Sequence, residues 1–151
     1  MIKTRRETNL NNFNSCLDFG GHYNIPLITF KAFKEHKDDL SYGNTEGHNL
    51  HEGKDITVVG TPHLHEIVYK MYALALDIDI SDAQMKYQEI ERNNYRFWFM
   101  TYSNEDLRDI QTWLIESELE QAVGRARLLR NDCSVFLFSN YPLPQAEFKY
   151  L

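Results

Sequence analysis

The alternation of apolar runs and amphipathic stretches along the chain predicts an α/β fold. Residues 25–30, 56–59 and 133–138 are short apolar runs of the kind typical of buried strands. Pro26 falls at the start of the first run, where a missing backbone donor is tolerated. The succession of loop, buried strand, tight turn and helix around residues 42–76 is a unit of an α/β domain, with a mainly parallel sheet flanked by helices.

A helix is predicted after the second strand. Thr61 followed by Pro62 is typical of a helix start, with Thr61 as the N-cap and Pro62 in the first turn. The helix is expected to run to about Leu76. Its apolar residues recur with helical spacing and form one broad face that we expect to be buried: Leu64, Ile67, Val68, Met71, Tyr72 and Ala75.

Residues 79–103 have the pattern of a β-hairpin, inserted before the last helix. Asn93-Asn94 separates two strand-like stretches, and asparagine can adopt the positive φ of a two-residue turn. The aromatic residues and methionines of the hairpin are expected in the core, with stacking on nucleic-acid bases as the alternative. Ser103 or Asn104 is expected to cap the helix that follows, with a break near residues 116–120. Its predicted buried face consists of Leu107, Ile110, Trp113 and Leu114.

The most distinctive chemistry lies in residues 116–139. Arg125, Arg127 and Arg130 fall within six positions of an otherwise acidic chain. On a continuing helix, Arg127 and Arg130 would be near neighbours on one face and Arg125 would point elsewhere. An arginine fork suits phosphate because it donates paired hydrogen bonds and keeps its charge. Gly124 would cost a helix roughly 1 kcal/mol relative to alanine, which indicates close approach of another backbone or of a ligand.

The run Gln121-Ala-Val-Gly-Arg-Ala-Arg127 resembles motif VI of superfamily 2 helicases and translocases, in its Gln-x-x-Gly-Arg-x-Arg form. In that family the motif lies on a helix of the second RecA-like domain and supplies arginine fingers to ATP bound on the first domain. The run departs from the commoner form of the motif, because Leu128 stands where an arginine is expected.

The resemblance implies that Arg125 and Arg127 are the fingers. Gln121 would fix the contact, Gly124 would allow close approach to the nucleotide, and Arg130 would be the reserve for Arg127. The plainer interpretation is a helix C-terminus whose arginines favour the helix dipole and solvent. In that case the arginines would pair with nearby acidic residues: Glu116, Glu118 or Glu120.

Residues 42–49, Tyr-Gly-Asn-Thr-Glu-Gly-His-Asn, look like a segment of viral and plasmid-associated members of that superfamily. There, Tyr-Gly-Asn-x-x-Gly-x-Asn precedes an apolar strand ending in Gly-x-Pro-His, to which residues 56–63 are similar. In the family this loop takes the place of motif V, which touches both the nucleic-acid backbone and the nucleotide site. The resemblance implies nucleotide contacts for Gly47 and Asn49. It implies nucleic-acid contacts for Tyr42, Asn44, Thr45, Thr61 and His63. The plainer interpretation is a solvent loop with a β-turn.

Taken over roughly residues 25–140, the resemblance implies an abbreviated RecA-like domain of the P-loop NTPase type. The residue 42–49 loop and the motif VI-like run would then meet at the carboxyl ends of the strands, where such sheets bind ligands. The sequence has no Gly-x-x-x-x-Gly-Lys-[Ser/Thr] loop and no Asp-Glu-x-His-like motif. ATP hydrolysis needs a phosphate cradle and a carboxylate that holds magnesium.

ATP and Mg²⁺ are therefore expected only through a partner, an N-terminal RecA-like ATP-binding domain, and the chain alone would not hydrolyse ATP. The second expected partner is single-stranded or duplex nucleic acid, with DNA as the first expectation. The chain would be the C-terminal part of a longer motor or a remnant of one. The alternative function is a non-catalytic RecA-like binding or regulatory module on a mobile element.

Composition narrows these expectations. The chain has 151 residues and a net charge of −6, which argues against a general nucleic-acid surface and leaves room only for a local contact. The Asn-rich start suggests a flexible arm over residues 1–20, followed by one domain over residues 21–151. The absence of an apolar run of 18 residues and of an apolar signal core makes a cytoplasmic protein the default, without a membrane partner. No metal site is expected, because the histidines and the two cysteines match no zinc spacing.

Overall fold

The computed structural model describes residues 2–5, 10–34, 36–44 and 50–148. Within the chain two compact units are distinguished, where the sequence suggested a single domain over residues 21–151. The first unit consists of Met1–Pro62 together with Glu118–Leu151, and the second of His63–Ser117. The second unit is thus an insertion in the sequence of the first.

The first unit contains a parallel sheet, which confirms the α/β class. Six strands lie in the order β3-β2-β4-β7-β1-β8, and each neighbouring pair is parallel. The described elements of this unit are β1 (Ile2–Arg5), α1 (Leu10–Tyr23), β2 (Leu27–Thr29), a 3-10 turn (Lys31–Phe33), β3 (Leu40–Ser41), β4 (Ile56–Val59), β7 (Val135–Phe138) and β8 (Glu147–Phe148).

The centre of the sheet is the pair β4 and β7. Their register runs from Ile56 opposite Val135 to Val59 opposite Phe138. All four residues of β4 are buried. Continuous apolar strands of this kind are typical of parallel sheets, in which helices cover the faces. Helix α1 covers part of one face, where Cys16 and Leu27 belong to the same buried cluster as Val59 and Phe138.

Regular structure is also present in the Asn-rich start, which the sequence suggested was a flexible arm. Residues 2–5 form β1, which lies between β7 and β8 in the sheet. Residues 10–23 form α1, and Phe19 of this helix packs with ring centroids 5.1 Å from Phe136 and 5.4 Å from Phe138. The prediction missed β1 because its neighbours in the sheet, β7 and β8, lie more than one hundred residues away, where composition carries no information.

The second unit contains an antiparallel hairpin and helices. Its described elements are α2 (Glu66–Ala75), β5 (Met85–Arg92), β6 (Tyr95–Tyr102) and the first part of α3 (Glu105–Gly124), whose last turns belong to the first unit. The hairpin prediction is confirmed, with φ of 53° at Asn93 and 65° at Asn94 in the turn. The core of the unit consists of Tyr69, Ala73, Tyr102, Leu107 and Ile110.

Helix α2 differs from its prediction in start and orientation. It begins at Glu66 with His65 as the N-cap, and the Ile67 amide donates to His65 Nδ1 over 3.3 Å. Thr61 does not cap it, because the Thr61 hydroxyl is already bonded to Ser139 and to the amide of Asn140. The predicted buried face is wrong as well. The buried residues of α2 are Tyr69 and Ala73, whereas most of the predicted face is exposed: Ile67, Met71, Tyr72 and Ala75.

Helix α3 is continuous, so the predicted break near residues 116–120 is wrong. Asn104 caps it, since its side-chain oxygen accepts a hydrogen bond of 3.0 Å from the Leu107 amide. Leu107 and Ile110 are buried as predicted, but Trp113 is exposed. The aromatic residues of the hairpin also differ from one another in burial. Some lie in the interior and others face solvent, so the expectation of a core role holds for only part of them.

The first testable prediction concerns Gly60, which follows β4 with a φ of 110°. Residues other than glycine rarely adopt this backbone conformation, and a Cβ at this position would also collide with the ring of Phe30. We expect Gly60→Ala to lower the free energy of unfolding by about 2–4 kcal/mol in chemical denaturation. Gly21→Ala is the matched control, because a Cβ at Gly21 in α1 would meet nothing within 4 Å. This change should be neutral or slightly stabilising, and equal losses in both variants would contradict the argument.

Candidate functional site

The arginines of the motif VI-like run follow helix α3 and do not lie on it. The helix ends at Gly124, and a turn continues with hydrogen bonds from the amides of Arg125, Ala126 and Arg127 to carbonyls three residues earlier. Arg127 has a φ of 54°, in the left-handed region. Helical spacing therefore does not apply beyond Gly124, and the prediction that Arg127 and Arg130 share a helix face is wrong. The plainer interpretation, that this segment is the C-terminus of a helix, agrees with its backbone conformation.

The left-handed backbone at Arg127 is held by several donors. Its carbonyl accepts hydrogen bonds from the amides of Arg130 at 2.9 Å and Asn131 at 3.2 Å. The side-chain amide of Asn131 donates to the same oxygen over 3.3 Å. A non-glycine residue in this conformation costs on the order of 1–2 kcal/mol, and it persists where surrounding contacts determine it. Asn131 is thus a positioning residue for Arg127 that the sequence analysis missed.

The side chains of the arginines differ in their surroundings. Arg127 Nε lies 3.7 Å from Glu52 Oε2, with both side chains more than a third exposed. This distance is longer than a hydrogen bond, so the ion pair is loose. Arg130 is exposed and Arg125 is half-buried, with a buried Nε. The sequence analysis proposed different carboxylates as partners. Two of those accept hydrogen bonds from other groups: Glu118 from the amide of Gly43, and Glu120 from the side chain of Gln145.

Gly124, Arg127 and Arg130 line one groove of about 510 Å³, together with the apolar side chains of Val123, Leu128 and Leu143. Gln121 is exposed on the last turn of α3 and is not among the lining residues. A Cβ at Gly124 would meet nothing within 4 Å. Among the described residues, close approach of another segment therefore does not explain the glycine, which lines the groove. The groove combines arginine forks with apolar walls, which suits a flat or phosphate-bearing ligand.

The arginine segment lies at the amino edge of the sheet. Ala126 accepts a hydrogen bond of 3.1 Å from the amide of Gly53, three residues before β4, and Ser134 accepts one from the amide of Ile56. By contrast, Tyr42 follows β3 at the carboxyl edge, where its hydroxyl donates to the Gly60 carbonyl over 3.0 Å. Strand β4 separates the two edges, and four residues span about 13 Å. Tyr42 and the arginine turn therefore lie at opposite edges of the sheet, while the expectation that the residue 42–49 loop meets the motif VI-like run stays a prediction for residues 45–49, which lie outside the described part of the chain.

The carboxyl edge is closed by internal hydrogen bonds. Thr61 Oγ1 lies 3.0 Å from Ser139 Oγ and accepts from the Asn140 amide at 2.9 Å. Ser139 Oγ accepts from the Tyr141 amide at 3.1 Å. Tyr42 is half-buried, and its ring packs 5.2 Å from that of Phe30. The side chains of Tyr42 and Thr61, which the resemblance implied as nucleic-acid contacts, are thus engaged inside the protein.

The other candidates from the loop resemblance have different positions. Asn44 is exposed just after β3. Thr45, Gly47 and Asn49 lie outside the described residues. His63 belongs to the second unit, where its ring stacks on Phe99 with centroids 5.1 Å apart, and burial lowers its pKa. In the part of the chain that the structure describes, no group of three or more histidine, cysteine, aspartate or glutamate side chains is placed to hold a metal ion. Among the described helices, none has the length and apolarity needed to cross a bilayer.

No protein-family model, curated protein or solved structure matches the chain. Function is therefore inferred from the sequence pattern and from the geometry of the chain itself.

The second testable prediction concerns His51, which precedes Glu52 and is 1% exposed. Burial is the main cause that lowers its pKa below 6.5, followed by the charge of Lys54, while Asp38 and Asp39 act in the opposite direction. The unfolded chain then binds more protons at this site than the folded one below about pH 6.5, so stability falls as the pH drops. One proton contributes at most about 1.4 kcal/mol per pH unit.

The predicted loss of stability at low pH can be measured by urea denaturation at several pH values between 7 and 5. We expect the loss of stability to be smaller in His51→Gln than in the unchanged protein. His22→Gln is the control, because His22 is exposed in α1 and its replacement should leave the pH dependence as it was. An undiminished pH dependence in His51→Gln would show that the buried imidazole is not its source.

Proposed function

We propose that the chain is the second RecA-like half of a superfamily 2 helicase or translocase, whose arginines act on ATP held by a separate N-terminal domain. The observation that carries this proposal is that Gly124, Arg127 and Arg130 of the motif VI-like segment line one groove. The parallel α/β sheet supports it, because a RecA-like domain is of this class. No phosphate-binding loop is present in the sequence, so the nucleotide itself is assigned to the partner domain.

Arg127 is the principal finger in this proposal. Charge accumulates on the γ-phosphate oxygens during cleavage, and a guanidinium stabilises it best when its position is set in advance. The three donors on the Arg127 carbonyl fix the backbone from which the side chain extends. The loose pair with Glu52 keeps the guanidinium near one anion that a phosphate can replace.

Arg130 is the second phosphate contact, because it shares the groove with Arg127. Arg125 has a buried Nε, so its role is to position the turn, and its reach toward a nucleotide is smaller. This assignment differs from the one that the resemblance implied, in which Arg125 and Arg127 were the fingers and Arg130 was the reserve. Gln121 does not line the groove, so the role that the resemblance implied for it is not part of this proposal.

The proposal assigns the contact with nucleic acid, DNA in the first instance, to the exposed loop that follows β3. Asn44 is the exposed polar side chain of the described part of this loop. With a net charge of −6, the chain would hold the backbone of the nucleic acid by local hydrogen bonds and would add little general attraction.

The third testable prediction uses the chain reunited with its ATP-binding half. Arg127→Lys keeps the charge and loses the fork, so we expect ATP turnover to fall by about a thousandfold, the lower end of what an arginine finger contributes. Arg130→Lys should reduce it as well. Arg96→Lys is the matched control, because Arg96 lies in the hairpin with its side chain 74% exposed and pairs with Glu91. This control should change turnover less than twofold.

Thermal unfolding of each variant separates loss of catalysis from loss of structure. The chain alone should show no turnover. Glu52→Gln releases Arg127 without removing it, so turnover of the reunited protein should be retained in that variant. Full turnover in both Arg127→Lys and Arg130→Lys would indicate that these arginines have a structural role. It would favour a non-catalytic binding or regulatory module.

A further inference from the structure

Helix α2 is apolar on two opposite faces. Tyr69 and Ala73 face the core of the second unit. On the other side Ile67, Met71 and Leu74, spaced as i, i+4 and i+7, are 58%, 63% and 61% exposed. A helix that is apolar all round is typically buried, and large exposed apolar patches mark interaction sites. The two charged residues of α2 do not interrupt this second face, because Glu66 and Lys70 pair with each other at 3.3 Å.

The hairpin adds a second exposed apolar surface. Tyr87 on β5 lies directly opposite Met100 on β6, and both are exposed. The rings of Tyr87 and Trp98 stack with centroids 5.6 Å apart. Such a pair forms a rigid platform with little conformational freedom to lose on binding.

One residue of the exposed helix face, Ile67, and one of the hairpin face, Met100, line a common groove of about 830 Å³. Ile67 and Lys70 of α2 line one side, and Met85 and Met100 of the hairpin line the other. Two of the four methionines of the chain, Met85 and Met100, line this groove. Methionine is flexible and polarizable, so grooves rich in it adapt to the side chains of a partner.

The charge of the second unit indicates the sign of that partner. Residues 63–117 contain five Lys and Arg against ten Asp and Glu, a net charge of −5 out of −6 for the whole chain. Glu66 lines the groove, but Lys70 also lines it and pairs with Glu66, so the excess of carboxylates lies around the groove, as at Glu89, which is opposite Trp98 on the hairpin. Nucleic acid or a second copy of this chain would bring like charge to this surface, whereas a cationic partner is attracted to it.

We propose that this groove binds a cationic amphipathic helix of a partner protein. Apolar side chains at i, i+3, i+4 and i+7 of such a helix would seat between α2 and the hairpin, as in other helix-in-groove interactions. Its Lys and Arg residues would be attracted by the net negative charge of the second unit, to which Glu66 in the groove and Glu89 on the hairpin contribute. The proposal does not depend on the arginine site, because every residue that carries it lies in the second unit.

The fourth testable prediction uses the full chain and two synthetic peptides. One peptide places leucines at i, i+3, i+4 and i+7 among lysines, and the other has the same composition in scrambled order. The chain has two tryptophans, and Trp113→Phe leaves Trp98 as the reporter at the hairpin surface. We expect the amphipathic peptide to produce a saturable blue shift of the Trp98 emission, with a Kd at least about tenfold lower than that of the scrambled peptide.

Matched variants locate the binding surface. Ile67→Ser and Met100→Ser should each weaken binding by about tenfold or more, as expected for central apolar contacts. Both side chains are exposed, so the changes leave the core intact. Leu129→Ser is the control, because Leu129 is fully exposed in the first unit and should alter the Kd less than twofold. Glu66→Gln combined with Glu89→Gln should weaken binding and reduce its dependence on salt.

Several outcomes would overturn the proposal. The first two are equal binding of the two peptides and no saturable binding of either. A third is a Kd that is unchanged in both Ile67→Ser and Met100→Ser. A fluorescence shift that an oligothymidine strand produces in place of the peptide, and that Met100→Ser removes, would assign the surface to nucleic acid. A concentration-dependent dimer that Ile67→Ser abolishes, without peptide binding, would assign it to a second copy of the chain.

Discussion

The pairing of β4 with β7 is the interaction on which the first unit depends. It joins two segments nearly 80 residues apart, since the amide of Ser134 is bonded to Asp55 across 79 positions. At one end the Gly60 amide donates to the Phe138 carbonyl, and at the other the Ile56 amide donates to the Ser134 carbonyl. Both edges of the sheet are therefore fixed by one register. A slip by a single residue would move the Thr61–Ser139 contact and the arginine turn together.

The arginine groove shows how local strain and long-range pairing combine. The turn after α3 returns the chain to the amino edge of the sheet, where Ala126 and Ser134 are bonded to the segment before β4. Arg127 adopts an unfavourable backbone conformation there because Asn131 and Arg130 both bond to its carbonyl. Glu52 belongs to the segment before β4, and its side chain lies near that of Arg127. The geometry of the groove is thus a property of the whole sheet edge, and not of a seven-residue motif.

Elements with local determinants could be predicted from the sequence. The apolar run of β4 and the Asn93-Asn94 turn carry their own signals, in β-branched side chains and in tolerance of positive φ. Strand β1 could not be predicted, because its stability comes from β7 and β8. Helix α2 has two apolar faces, and periodicity alone does not say which one meets the core. The start of that helix was misplaced because Ser139, far away in the sequence, competes for the hydroxyl of Thr61.

The sequence analysis named residues of the candidate groove, but their arrangement could not be predicted. Gly124, Arg127 and Arg130 line one groove. The relation between the arginines was derived from helical angles, which do not apply beyond Gly124. The order in which the arginines are assigned to phosphate contacts therefore changed. Glu52 and Asn131 had no signal as partners of Arg127, because one comes from a distant loop and the other acts through a backbone carbonyl.

The insertion of the second unit between β4 and β7 has a consequence for how the chain folds. Two adjacent parallel strands need a crossover connection, and here residues 63–117 make up most of it. Contacts within the hairpin are local and form on the microsecond scale, whereas the β4–β7 pair must close a long loop first. Early ordering of the hairpin shortens the flexible chain that this closure has to restrain. We therefore expect the local contacts of the inserted unit to form before the β4–β7 pair closes.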